Sequence, residues 1–165
     1  MTTVLRMGFL VFGIASGLLS GGVAAADGRE ADGREADLGH HGQAVYEGGR
    51  LDVRLRTWNH GPVSLDSAAV RVSFSVPVTG TLPPACIRQA PSALVCETGA
   101  LPAGSVGARP LALALRVGGA PDEVVVEVRT VRMGAADVSS GTRDLNPDND
   151  RRRVLALDTG DPYYF

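Results

Sequence analysis

The sequence predicts an all-β domain, an antiparallel sandwich closed over one core, and three observations carry that expectation. Apolar residues recur with a period of two along several stretches, which puts one set of side chains on each face of a strand. Gly and Pro clusters separate those stretches at intervals that suit short strands. Gly supplies 21 of the 165 residues and Pro ten, whereas Gly is about 7% of an ordinary chain. Such a supply of turn formers favours strands over a helical bundle, and no window of useful length holds a helical period.

The patterning begins at about Ala44. Leu51, Val53 and Leu55 alternate with Asp52, Arg54 and Arg56. Val70, Val72, Phe74 and Val76 alternate with Arg71, Ser73 and Ser75. Leu111, Leu113, Leu115 and Val117 alternate with small or charged residues. Val124, Val126 and Val128 share a face that Val131 continues, and Val154 to Leu157 makes a short last strand. The breaks fall at Gly48-Gly49, Asn59-His60-Gly61-Pro62, Pro83-Pro84, Gly99 to Gly104, Gly118 to Pro121 and Asn146-Pro147. Two packed sheets are the natural way to bury several one-sided strands. The folded domain is expected over residues 44–158.

The segment before it has two parts. Arg6 and the terminal amine precede an apolar run from Met7 to Leu19, and small residues lead to Ala24-Ala25-Ala26. A positive start, a short apolar core and small residues at the end make a secretory signal peptide over 1–26. The run is interrupted by Gly8, Gly13 and Gly17 and falls short of the ~20 apolar residues of a spanning helix. The mature form is therefore expected to be extracellular, without a membrane span. Residues 27–43 open on a tandem ADGRE repeat and include His40 and His41. So small and charged a segment is read as a disordered tether, because it has too little apolar surface to offset ordering entropy.

Charge and cysteines limit the partners. The net charge is −2, and loss of residues 1–26 makes it −3. Nucleic acid is not an expected partner, because phosphate binding needs an excess of cations. All the cations are Arg, with no Lys. Cys86 and Cys96 allow one intramolecular bridge, the expected state in an exported chain. Closing so short a loop contributes about 3 kcal/mol on chain entropy.

Read in order, the turn motifs resemble a known module. They are Trp58-Asn59-His60-Gly61-Pro62, then Leu82 to Cys86, then Leu94-Val95-Cys96 with Gly99 to Gly104, then Asp144-Leu145-Asn146-Pro147-Asp148-Asn149-Asp150. Over about residues 44–158 this order resembles the bacterial surface-protein repeat known as domain of unknown function eleven. The resemblance implies an immunoglobulin-like sandwich, with Asn59, Gly61, Pro62, Asn146, Pro147 and Asn149 as turn positions. This chain has one copy, and Asp150 stands where the family favours a second Asn.

Candidate sites are few. Asp144, Asn146, Asp148 and Asp150 have the spacing of a calcium loop, but Asn149 and Leu155 occupy the positions where Gly and Glu belong. An Asx turn into the last strand is the expected reading, with no metal and no cofactor. Ala103 to Gly107 partly resembles a nucleophile elbow around Ser105, but Pro110 follows where a helix is needed. His60 lies in a turn, and no carboxylate pair stands out for acid–base chemistry; no catalytic residue is assigned. The bridged segment Ile87–Val95 could present Arg88 to a protease. The tail 159–165 carries Tyr163, Tyr164 and Phe165, which either recognise a partner or fold back on the sandwich. The expectation is a secreted, monomeric, non-catalytic module that contacts an extracellular protein or a cell-envelope component. The alternative is a secreted protease inhibitor using Ile87–Val95.

Overall fold

The computed structural model describes residues 35–104, 107–134, 142–144 and 146–165. The expected signal peptide, residues 27–34 of the expected tether and Ser105 lie outside them. Twelve strands follow along the described residues: β1 (Glu35–Ala36), β2 (Leu38–Glu47), β3 (Arg50–Asn59), β4 (Ser67–Phe74), β5 (Val78–Thr79), β6 (Cys86–Ala90), β7 (Ala93–Glu97), β8 (Leu111–Val117), β9 (Glu123–Gly134), β10 (Arg143–Asp144), β11 (Arg151–Leu157) and β12 (Pro162–Tyr164). No helix among them is long and apolar enough to cross a membrane.

The strands form two five-stranded antiparallel sheets, in the orders β12-β2-β3-β8-β5 and β11-β9-β4-β7-β6. A two-residue parallel pair, β1 with β10, lies apart from both. The order β2-β3-β8-β5 is the A-B-E-D sheet of an immunoglobulin-like sandwich, and β11-β9-β4 is its G-F-C sheet. The hairpin β6–β7 extends the second sheet beyond β4.

The alternation read from the sequence places the core. Leu51, Val53 and Leu55 from β3, Val70, Val72 and Phe74 from β4, Leu113 and Leu115 from β8, and Val124, Val126 and Val128 from β9 are buried in one cluster. Each such side chain contributes roughly 1.5–3 kcal/mol on burial. Val131 does not continue the β9 face. A register shift between Ala69 and Val70 of β4 leaves it in a bulge, 45% exposed.

Two boundaries differ from the sequence reading. Within the segment read as a tether over 27–43, Glu35–Ala36 form β1 and residues 38–43 belong to β2, which pairs with β3 from Leu38↔Asn59 to Glu47↔Arg50. The strand is polar for a buried element, so its fit rests on satisfied hydrogen bonds. His40 is fully buried, with Nδ1 3.0 Å from the Thr57 hydroxyl and Nε2 3.0 Å from the Thr130 hydroxyl. A neutral imidazole offers one donor and one acceptor, which two hydroxyls can match. The tail is likewise part of the sandwich. β12 pairs with the outer edge of β2, and Phe165 exchanges two backbone hydrogen bonds with Gly42, each 3.0 Å. A Cβ on Gly42 would lie 2.6 Å from the Phe165 ring, so the glycine makes room for the chain's last side chain.

A smaller cluster closes one end: Ala36, Leu38, Leu65, Ala68, Leu101 and Ala108. Asn59 ties it together. Its Nδ2 donates to the carbonyls of Val63 at 2.7 Å and Leu101 at 3.1 Å, and its Oδ1 accepts from Gly61 N–H at 3.1 Å. Gly61 sits so close to Ala36 that an added Cβ would be 2.6 Å from that residue's Cα. The Asn59-to-Pro62 turn is thus fixed by a buried amide and by the absence of a side chain. At the other turn, Asp144 Oδ1 accepts from Asn146 N–H at 2.8 Å, an Asx turn, and its Oδ2 accepts from Leu38 N–H at 3.1 Å. Asn149 Nδ2 donates to Asp37 Oδ1 at 2.7 Å.

Three stability outcomes follow from this packing. Asn59→Ala leaves a buried N–H and two carbonyls without their partner, and is expected to cost about 2–4 kcal/mol in urea unfolding with an unchanged m-value. The double variant Cys86→Ala/Cys96→Ala removes the link between β6 and β7; it should fold and lose about 3 kcal/mol. Burial is the main reason that His40 titrates low, from the usual 6.5 to about 4, followed by the charges of Arg152 and His41; a backbone contact at Asp150 opposes them. As pH falls from about 6.5 to 4, the unfolded chain takes up a proton that the folded chain refuses, so stability declines through that window by on the order of 3 kcal/mol. Unfolding measured across pH 7.5 to 4 should show this slope in the wild type and lack it in His40→Gln.

Candidate functional site

The alternation that buries Leu55, Thr57 and Asn59 turns the intervening residues of β3 outward. Arg54, Arg56 and Trp58, followed by His60, lie in line on the outer face of the β12-β2-β3-β8-β5 sheet. Register places their neighbours. Tyr164 pairs with Gln43, Gln43 with Arg54 and Arg54 with Ala112, which makes one row across four strands. His41 pairs with Arg56 in the next row, and Gly39 with Trp58 in the one after.

Three of these groups are stacked. The Trp58 and His60 rings lie 6.4 Å apart between centroids and 9° from parallel. The Arg56 guanidinium carbon is 5.7 Å from the Trp58 ring centroid, within cation–π range. Gly39 lies beside the His60 ring, where a Cβ would make only an ordinary contact at 3.5 Å. Gly107 makes room on the other flank by lacking a side chain, since a Cβ there would come within 2.8 Å of Arg56 Cδ and 3.1 Å of the Trp58 ring.

The result is a shallow trough. One half, about 330 Å³, is lined by His41, Gln43, Arg54, Arg56, Trp58 and Tyr164 among others. The other, about 380 Å³, shares Gln43 and Arg54 and is floored by Ala112 and Ala114. No side-chain carboxylate lines the first half. In the second half Asp52 is held by Arg50 through two hydrogen bonds of 2.8 and 3.1 Å, which offsets its charge. Among the described residues the ion pairs are Arg50–Asp52, Arg132–Glu97 and Arg151–Glu127. Arg54 and Arg56 enter none of them. Their forked donors are exposed beside aromatic rings, an arrangement suited to holding an anionic, ring-containing ligand.

The C-terminal aromatics split between two roles. Tyr163 and Phe165 pack against the core, whereas Tyr164 is 71% exposed on the trough side. Arg88 lies elsewhere, on edge strand β6. The segment Ile87–Val95 is a paired hairpin, with Leu94 buried and Ile87 67% exposed. The Arg88 guanidinium donates to the Val78 carbonyl at 2.6 Å. A separate apolar groove of about 460 Å³ opens between the sheets, lined by Leu55, Val70, Leu111 and Ala108 with Arg109 and Glu97 also on its wall.

Among the described residues, no group of three or more His, Cys, Asp or Glu side chains is placed to hold a metal ion. The sequence reading named Trp58 and His60 only as turn neighbours and read Arg54 and Arg56 only as the polar phase of a strand. The signal for the face was that same alternation, followed on its outward phase. No family model matches the chain, and neither does any curated protein or solved structure.

Proposed function

We propose that this protein is a secreted, non-catalytic, immunoglobulin-like module that binds a component of the cell envelope or its surroundings through the outer face of the β12-β2-β3-β8-β5 sheet. The observation that carries this reading is the row of exposed Arg54 and Arg56, without an ion pair among the described residues, beside exposed His41 and Tyr164 and the half-buried Trp58. Exposed aromatic and guanidinium groups are expensive to leave idle on a surface and are the residue types that dominate recognition energy. The signal-like start of the sequence and the order of turn motifs typical of a bacterial surface repeat support an extracellular setting.

The alternative, inhibition through Ile87–Val95, has less behind it. Its cation is already engaged by Val78, and the hairpin is paired along β7. The sheet face offers groups with no such commitment.

Purified protein immobilised and exposed to the producer's envelope and secreted fractions should retain a component. The triple variant Arg54→Glu/Arg56→Glu/Trp58→Ala should lose it while keeping the wild-type melting temperature within a few degrees, because all three side chains point away from the core. Retention by the triple variant equal to the wild type would remove the assignment to this face. A trypsin-like protease assay in parallel tests the alternative; no inhibition at micromolar protein is expected.

A further inference from the structure

We infer that the trough takes an acidic polysaccharide, a polymer of sugar rings bearing carboxylates. This rests on the binding reading above and names its ligand class. Three features of the trough fit such a chain together. The first is its two aromatic ends. Trp58 lies on β3 opposite Gly39, and Tyr164 lies on β12 opposite Gln43. Those rows are four residues apart on β2, about 13 Å at ~3.3 Å per residue, and the two strands flank β2 at about 5 Å on either side. A ligand that touches both rings must therefore be extended and cross the strands obliquely. The C–H face of a pyranose ring is apolar and packs flat on an aromatic ring, as the exposed Tyr164 allows; Trp58, half-buried in its stack with Arg56 and His60, bounds the other end and backs the arginine.

The second feature is charge alongside the ends. Arg54 lies in the row of Tyr164 and Arg56 in the row between it and Trp58, with no side-chain carboxylate in that half of the trough. A planar guanidinium matches a carboxylate bidentately. The chain as a whole is net negative at −2, so this local cationic surface is not a consequence of composition. The third is the amide of Gln43 at the centre of the row, which can donate to and accept from sugar hydroxyls. The small floor of Ala112 and Ala114 lets a chain continue past Arg54. A single-stranded nucleic acid also offers rings and anions. It places its charge on a backbone outside the bases and rewards a longer basic track than two arginines and a histidine.

Titration of the full chain with polygalacturonate, and with the same polymer methyl-esterified, tests the inference by affinity electrophoresis and calorimetry. The acid form should bind at low salt and weaken as salt rises; the esterified form should bind about tenfold less or worse, in line with the loss of charge-assisted hydrogen bonds. Arg54→Gln/Arg56→Gln should reduce binding of the acid form to the level of the ester. Trp58→Ala and Tyr164→Ala should weaken both forms. Arg88→Gln/Arg153→Gln, the same charge change elsewhere, should leave binding as in the wild type. Equal binding of acid and ester, equal loss in the control variant, or tighter binding of a single-stranded oligonucleotide would each overturn the inference. If polygalacturonate fails while an envelope component is still held through the same face, the ligand class is wrong and the binding module stands. If nothing is retained, both fall.

Discussion

The buried amide of Asn59 fixes one end of the sandwich, and much of the molecule's architecture refers to it. Its hydrogen bonds join the end of β3, the turn at Gly61 to Val63 and the loop at Leu101. In a low-dielectric interior such a polar hub is costly unless fully met, and once met it admits few other arrangements. The same residue stands between Trp58 and His60, which point the other way. The inward hydrogen bonds therefore set the backbone that carries the outward stack. Positioning of the candidate site is a consequence of packing at its back.

β2 shows a second use of polar groups in place of apolar ones. It lies between β3 and β12 and against β9 and β11 of the other sheet, yet its first half contributes few aliphatic side chains. His40 fills the space as a neutral ring between two threonine hydroxyls. This makes the strand dependent on the histidine's charge state in a way that Leu or Val would not. Glycine has the complementary role in this sheet. Gly42 yields volume to Phe165, and Gly107 clears one flank of the Trp58 stack.

The face and the core are two phases of one pattern. On β3, a one-residue step moves a side chain from the cluster containing Leu55 to the row containing Arg54 and Arg56. Register then assembles the row from four strands, since Tyr164, Gln43, Arg54 and Ala112 lie side by side only because β12, β2, β3 and β8 pair as they do. The Cys86–Cys96 bond is a local device by contrast. It joins neighbouring strands of one hairpin, not the two sheets.

What the sequence determined by itself was the class of fold and most of its core. Period-two alternation in Leu51–Leu55, Val70–Phe74, Leu111–Val117 and Val124–Val128 names both strand and buried face, because the pleat leaves no other way to segregate the side chains. The turns at Asn59 to Pro62 and at Asp144 to Asn149 were legible for the same local reason. Tertiary structure alone decided the rest. β2 carries no alternation of aliphatics over Leu38 to Gln43, so its place depends on hydrogen bonds to residues far along the chain, Thr130 for His40, Asp144 for Leu38 and Phe165 for Gly42. β12 is too short to be stable alone and becomes a strand by pairing with β2. Val131 is exposed because of a bulge set by a partner strand. The trough was invisible for that reason too: its residues are scattered from His41 to Tyr164, and only pairing across strands brings them onto one surface.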